Sequence, residues 1–349
     1  MKKPIAIISN DWHIKRENRT ELLDLIKQKC ELANKLNVKY LICLGDVLDS
    51  RIAQREEILT TFSEIIDIVE ESNLKLVVIP GNHDKTDYSS VNSFLKPYKG
   101  RKELMLIEIY GSVPFKEEGI ELNFIPYFEE EIWLSKFNEF IDYLNFKGDN
   151  IKHILCTHIA ITGSVNNDGK SVSSKISQKL FKDFFKVFSG HYHNQQKIGS
   201  NFYHLPSIQQ NNFGEDRDKG FTVLYNDGSH ELIKSKFKEF FKLKIDLNTV
   251  SNDDLSVLKR EYKNNNGNIR FEFIGSETQL KSLDKDEFNR LGIDVKTKLK
   301  EIIDDISYSE STEVVEHTKD SIVEAFKEFC EKEELNLEQG IIYLKKKLK

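Results

Sequence analysis

Cysteine is scarce in this chain, with four residues (Cys30, Cys43, Cys156 and Cys330) that show no paired spacing. That argues against a disulfide framework or a zinc ribbon. Cys43 and Cys156 fall inside apolar runs, where a thiol acts as a small buried hydrophobe. Long hydrophobic runs are also missing, and none approaches the roughly 20 residues that a membrane span needs. The opening Met1-Lys-Lys-Pro-Ile-Ala-Ile-Ile-Ser enters a short strand and soon meets Asp11, so no signal peptide and a cytoplasmic setting are expected. Excess positive charge is lacking too: 51 Lys and Arg against 57 Asp and Glu give a net charge of −6. Nucleic acid is therefore not attracted in general, and binding it would need a local basic surface or bound cations. What remains is an ordinary soluble composition over 349 residues, enough for about two domains.

The chain has short apolar strands that each end in a polar cluster. Leu76-Val-Val-Ile-Pro-Gly-Asn-His-Asp84 is the clearest, a buried strand stopped by Pro80 and Gly81 that delivers an amide, an imidazole and a carboxylate together. The device recurs after Pro4–Ser9 (Asp11, His13), Tyr40–Leu44 (Asp46, Asp49), His153–Cys156 (His158) and Lys186–Phe188 (His191, His193). Amphipathic helices are expected over Glu21–Leu36 and Glu56–Ser72, a short helix over Tyr88–Tyr98, and further strands over Leu104–Pro126. Strands alternating with helices predict an α/β fold, whose sites form beyond the carboxyl ends of the strands. Turn chemistry does not call for five of nine histidines at such ends.

Setting aside Asp49, His83 and Asp84 as supporting groups leaves seven candidate ligands: Asp11, His13, Asp46, Asn82, His158, His191 and His193. Seven is more than one first-row ion takes while keeping room for water, and it suits two ions bridged by a carboxylate, with Asp46 the natural bridge. Imidazole, carboxylate and amide donors without thiolate point to manganese, iron or zinc. Two such ions roughly 3.5–4 Å apart clamp a phosphoryl group for in-line attack by water. The i, i+2 spacing of Asp11 with His13, and of His191 with His193, puts each pair on one side of an extended backbone.

Asp11-x-His13, Gly45-Asp46-x-x-Asp49, Gly81-Asn82-His83-Asp84, Thr157-His158 and Gly190-His191-x-His193, in that order, resemble the calcineurin-like metallophosphoesterases. The resemblance implies a β-sandwich flanked by helices. It implies one ion on Asp11, His13, Asp46 and His193, and a second on Asp46, Asn82, His158 and His191. It makes His83 the group beside the scissile phosphate, oriented by Asp49, with Asp84 in support. Residues 201–221, with Asn212-Phe-Gly-Glu-Asp-Arg-Asp-Lys-Gly-Phe, resemble the SbcD family of nuclease subunits. That implies a manganese-dependent DNA exo- and endonuclease (magnesium or iron being alternatives) that is dimeric, is encoded by a bacterium or phage, and partners an SbcC-like coiled-coil ATPase. Some cellular relatives carry a second histidine where this chain has Asp49, so the balance of exo- and endonuclease work stays open. A phosphatase or cyclic phosphodiesterase on the same centre, or a scaffold for the ATPase, are the alternatives.

The domain reading is residues 1–235 as the metallophosphoesterase domain and 236–303 as a small α+β capping domain. The latter reads strand 241–247, helix 253–262, strand 269–274, helix 277–291 and strand 293–299. Residues 304–319 form an acidic linker, and 320–349 two C-terminal helices. Ile322, Phe326 and Phe329 stripe the first helix, and Leu337, Ile341 and Leu344 the second; too few residues to bury their own stripes, they are expected to dock on the ATPase. Lys170, Lys175 and Lys179 belong to a basic run that is either a solvated helix face or a DNA-contacting edge.

Overall fold

A computed structural model describes residues 2–144, 151–263 and 267–300. The first sheet is built from β1 (Pro4–Ser9), β2 (Tyr40–Cys43), β3 (Lys75–Val78), β4 (Leu104–Leu106), β11 (Gly220–Tyr225) and β12 (His230–Lys234), in the order β12-β11-β1-β2-β3-β4. The second holds β5 (Gly111–Phe115), β6 (Ile120–Ile125), β7 (Lys152–Thr157), β8 (Lys186–Ser189), β9 (Gln196–Ile198) and β10 (Phe202–His204), in the order β5-β6-β7-β8-β10-β9. Strands β1 to β4 run parallel to one another, as do β6 to β8.

The two-residue period of the strands sorts their side chains into layers. Leu41, Cys43, Leu76 and Val78 point outward under the helices α1 (Arg19–Leu36) and α2 (Glu56–Glu71). Ile42, Leu44, Val77 and Ile79 point inward, against Leu122, Phe124, Ile154, Cys156 and Phe188 of the second sheet. The far face of that sheet is covered by α3 (Glu130–Tyr143) through Trp133, Phe137 and Phe140. The result is the expected mixed α/β sandwich, flanked by helices on both sides. Among the described residues, no helix is long and apolar enough to cross a membrane.

Residues 240–299 make a separate three-stranded parallel sheet, β13 (Phe240–Asp246), β14 (Asn268–Gly275) and β15 (Ile293–Leu299), with β14 in the middle. Helix α4 (Asn252–Tyr262) links its first two strands, and Phe271, Phe273, Phe288 and Ile293 form its own core. Two expectations change. The helix over 277–291 is two short ones, α5 (Glu277–Ser282) and α6 (Lys285–Arg290), because the Asp284 side chain caps a second start by accepting from the Glu287 N–H. Residues 88–98 hold only one 3₁₀ turn, Lys96–Tyr98, since Pro97 and the Ser-Ser-x-Asn stretch before it favour local side-chain bonds over a helix ladder. Helix α3 had no counterpart in the sequence reading. The linker and C-terminal helices expected over 304–349 lie outside the described residues.

Candidate metal centre

The parallel strands β1, β2 and β3 end side by side, and their loops go on pairing beyond the sheet. Asp11 N–H donates to Gly45 O and His13 N–H to Asp46 O, both at 3.0 Å. From the other sheet, β7 and β8 bring His158, His191 and His193 to the same end. Glycines allow the close approach. A Cβ on Gly45 would stand 2.7 Å from His158 Nδ1, one on Gly190 2.7 Å from Leu44 O, and one on Gly81 would run into Asp46.

All seven candidate ligands meet. Asn82 Oδ1 is 3.1 Å from His158 Nε2 and 2.9 Å from His191 Nδ1. Asp46 Oδ2 is 3.3 Å from His158 Nε2 and 3.7 Å from His13 Nε2. His13 Nε2 and His193 Nε2 are 3.1 Å apart, and Asp11 Oδ1 is 4.0 Å from His193 Nε2. Asp11 and His158 are wholly buried, and Asp46, His13 and Asn82 nearly so.

Six non-glycine residues have positive φ among the described residues, and four of them are candidate ligands: Asp11, His13, Asp46 and His191. Such backbone costs free energy and persists where the surroundings demand it, commonly at functional sites. This also corrects the extended-backbone expectation for both pairs, because Asp11 and His13 converge through left-handed turns and His191 is left-handed as well.

The donor chemistry fits cations. His158 Nδ1–H donates to Leu44 O at 2.6 Å, and His193 Nδ1–H to Glu215 at 2.7 Å, so both rings turn Nε2 toward the cluster of oxygen and nitrogen donors. Donor atoms packed this closely need a proton or a cation between them. Burial works to strip a proton from His158, but the Asp46 carboxylate holds it, raising its pKa to about 9. Burial likewise works to protonate Asp46, yet His158, His13 and His83 hold it well below the usual carboxylate range. Burial drives His13 and His191 well below the ordinary imidazole value, leaving them neutral as ligands must be. His13 Nδ1 is buried without a hydrogen-bond partner among the described residues. Among the described residues, three groups of acid and histidine atoms are tight enough for an ion: Asp11, His13 and His193; His13, Asp46 and His83; Asp46, His158 and His191.

The supporting groups differ from expectation in detail. His83 Nδ1–H donates to the backbone carbonyl of Asp49 at 2.5 Å, not to its carboxylate, which stands 3.5 Å from His13 Nδ1. Asp84 turns away from its neighbour and accepts from the N–H groups of Val47, Leu48 and Gly81. It thereby pins the second strand's loop to the third's. Burial and the Asp46 charge push its carboxyl up to about 7, against those three donors.

Two residues escaped the sequence reading. Arg51 Nη2 lies 2.6 Å from His83 Nε2. Glu215 holds His193, and only its place in the 201–221 stretch hinted at it. Arg51 lines a cavity of about 470 Å³ with His13, Asp46, Asn82, His83, His191, His193 and Lys15, while Glu215 touches its wall through His193. The lysines of the basic run sit on a loop and one 3₁₀ turn (Gln178–Phe181), not a helix, and Lys175 pairs with Glu131 at 2.6 Å.

The family model described as calcineurin-like phosphoesterase matches residues 4–195, more than half of the chain and every candidate ligand. The chain belongs to the calcineurin-like phosphoesterase family. This phosphoesterase is 23% identical over 316 residues to the SbcD component of the nuclease SbcCD of Staphylococcus saprophyticus, covering 73% of this chain and 81% of that one. It is 24% identical over 287 residues to a protein of Invertebrate iridescent virus 6 named as a phosphoesterase, covering 79% and 96%. Among solved structures it is similar to the calcineurin-like phosphoesterase YfkN of Bacillus subtilis, with 14% identity, a TM-score of 0.40, and 68% and 90% of the two chains covered. The family makes it a metal-dependent hydrolase of phosphoesters.

Proposed function

We propose that this phosphoesterase is a two-metal DNA nuclease that works with an SbcC-like ATPase. The observation that carries the hydrolytic part is the meeting of seven nitrogen and oxygen donors from both sheets around the buried Asp46. Asp11, His13, Asp46 and His193 would hold one ion; Asp46, Asn82, His158 and His191 the other. When bound, the pair would supply charge neutralisation at the phosphoryl group and a nucleophile at neutral pH. Manganese suits the mixed imidazole and oxygen set.

The chain's own residues do the rest. His83, anchored through Nδ1–H on the Asp49 carbonyl, turns Nε2 toward the cavity, where Nε2 can take up a proton from solvent and pass it to the leaving oxygen. The Arg51 guanidinium, with planar donors matched to phosphate oxygens, grips the substrate's charge beside it. Lys170 and Lys179 would contact the phosphate backbone of the bound DNA. The DNA reading is supported by the SbcD resemblance of residues 201–221 and by the matching relative, which this chain covers over most of its length. Residues 320–349 would dock the ATPase.

The test incubates the protein with Mn²⁺ and linear duplex or single-stranded DNA and scores nucleotide release, with Asp46→Asn and His83→Ala as controls. Release by wild type, lost in both controls, is expected. DNA left intact while a phosphopeptide or cyclic nucleotide is hydrolysed would make it a phosphatase or cyclic phosphodiesterase. No hydrolysis of any ester, with the ATPase added, would leave a scaffold.

A further inference from the structure

We infer that Glu215 is a positioning residue for the metal centre, and that the loop carrying it, residues 210–219, ties the seating of the three-stranded β13–β15 sheet to the geometry of His193. The inference rests on the two-ion reading above.

Glu215 is buried, and every neighbour of its carboxylate is a donor. Oε1 accepts from His193 Nδ1–H at 2.7 Å and from the Asn212 amide at 2.9 Å. Oε2 accepts from Asn211 N–H at 3.1 Å, with the Lys219 ammonium at 3.4 Å. A carboxamide here would aim an N–H at another N–H, so only an ionised acid satisfies the site. The carboxylate fixes the proton of His193 on Nδ1 and turns Nε2 toward His13 and Asp11. Lys219, with no exposed side-chain surface, donates to His193 O at 2.6 Å and Asn194 Oδ1 at 2.8 Å, and so holds the backbone of the same ligand.

The other end of the loop grips the small sheet. Gln210 donates to Glu215 O at 3.0 Å and accepts from the N–H of Phe240, the first residue of β13, at 2.9 Å. The Phe213 ring meets Phe240 edge-on at 4.9 Å and lies under Arg270 of β14 at 4.0 Å. Arg217 stacks over Phe241 of β13 at 4.5 Å. Ten residues therefore touch a candidate ligand on one side and two strands of the sheet on the other. A shift of that sheet, for instance under bound substrate, moves the carboxylate that sets His193.

The experiment titrates the full-length protein with Mn²⁺ by calorimetry and electron paramagnetic resonance, with thermal unfolding as the folding control. Wild type is expected to bind two ions. Glu215→Gln should weaken one site roughly 10–100-fold and leave the other unchanged. Glu215→Asp, which keeps the charge but shortens the reach, should fall between. Phe213→Ala, which touches no candidate ligand, should weaken the same site by a smaller factor. Unchanged affinities in Glu215→Gln would reduce Glu215 to a loop-holding ion pair and overturn the inference while leaving two ions in place. An effect in Glu215→Gln with none in Phe213→Ala would overturn the link to the sheet. A wild type that binds no Mn²⁺ would overturn both this inference and the reading it rests on.

Discussion

Arg51 Nη2 stands 2.6 Å from His83 Nε2, and the opposite nitrogen of the same ring donates to the Asp49 carbonyl at 2.5 Å. The imidazole is therefore held between a backbone acceptor and a guanidinium, with Nδ1 donating and Nε2 accepting. Phosphate oxygens are better partners for a guanidinium than an imidazole nitrogen is. A phosphodiester in the cavity thus draws Arg51 onto itself and frees His83 Nε2 to take a proton from solvent, which it can then hand to the leaving oxygen. Arg51→Ala is expected to lower kcat/KM for phosphodiester cleavage by about 10²-fold. Arg51→Lys should recover only part of it, because a point charge does not reproduce the planar fork. Steady-state kinetics of the three proteins on one substrate decide this.

His83 is expected to matter in proportion to how poorly the leaving group departs. With a deoxyribose oxygen leaving, His83→Ala should cost about 10²–10⁴-fold in kcat. With p-nitrophenolate leaving, which needs no proton, the loss should be far smaller. Equal losses on both esters would remove His83 from the role of proton donor.

The close approach of the strand-end loops gives a third expectation. Gly81→Ala would force a Cβ into the Asp46 carboxylate and backbone N–H. Because Asp46 is the proposed bridge, the variant should lose Mn²⁺ at both sites while staying folded. The comparison is metal content by elemental analysis against circular dichroism; full metal occupancy in Gly81→Ala would contradict it.

Much of this was legible in the chain. Strands β1 to β3, β7 and β8 announced themselves because apolar, β-branched runs stop abruptly at Gly or at polar ligands. The seven donors could be read because histidine is rare and clustered at those stops. Helix α3 gives a weak signal in the sequence although Trp133, Phe137 and Phe140 share one face, since acidic and polar residues separate them. Arg51 and Glu215 carried no signal of their own, as one charged residue among many becomes functional only through long-range packing. The Asp49 contact is made by an atom the sequence does not single out: it names a carboxylate but does not say that the backbone carbonyl arrives first.

Lys29 provides a pH test of the scaffold. It is wholly buried on α1, donates to Ser9 Oγ at 2.8 Å and Ile42 O at 2.9 Å, and burial lowers its pKa to about 8. The unfolded chain keeps this lysine near the ordinary 10.5, so between about pH 8 and 10.5 the unfolded state binds more protons than the folded one. Stability from this group therefore rises with pH through that window, by roughly 3 kcal/mol in all. The burial cost is borne in full below it. Urea unfolding of wild type and Lys29→Met at pH 7.5 and 10 should show wild type gaining on the variant at the higher pH. A constant difference would mean that the ammonium is not penalised by burial.

The claim on which the rest depends is that two cations share Asp46. Crystals grown or soaked in Mn²⁺ and measured at the manganese absorption edge test it directly. The account predicts two anomalous peaks roughly 3.5–4 Å apart, both within bonding distance of the Asp46 carboxylate, one beside His13 and His193 and the other beside Asn82, His158 and His191. An anomalous map with no peak there under saturating manganese would contradict it.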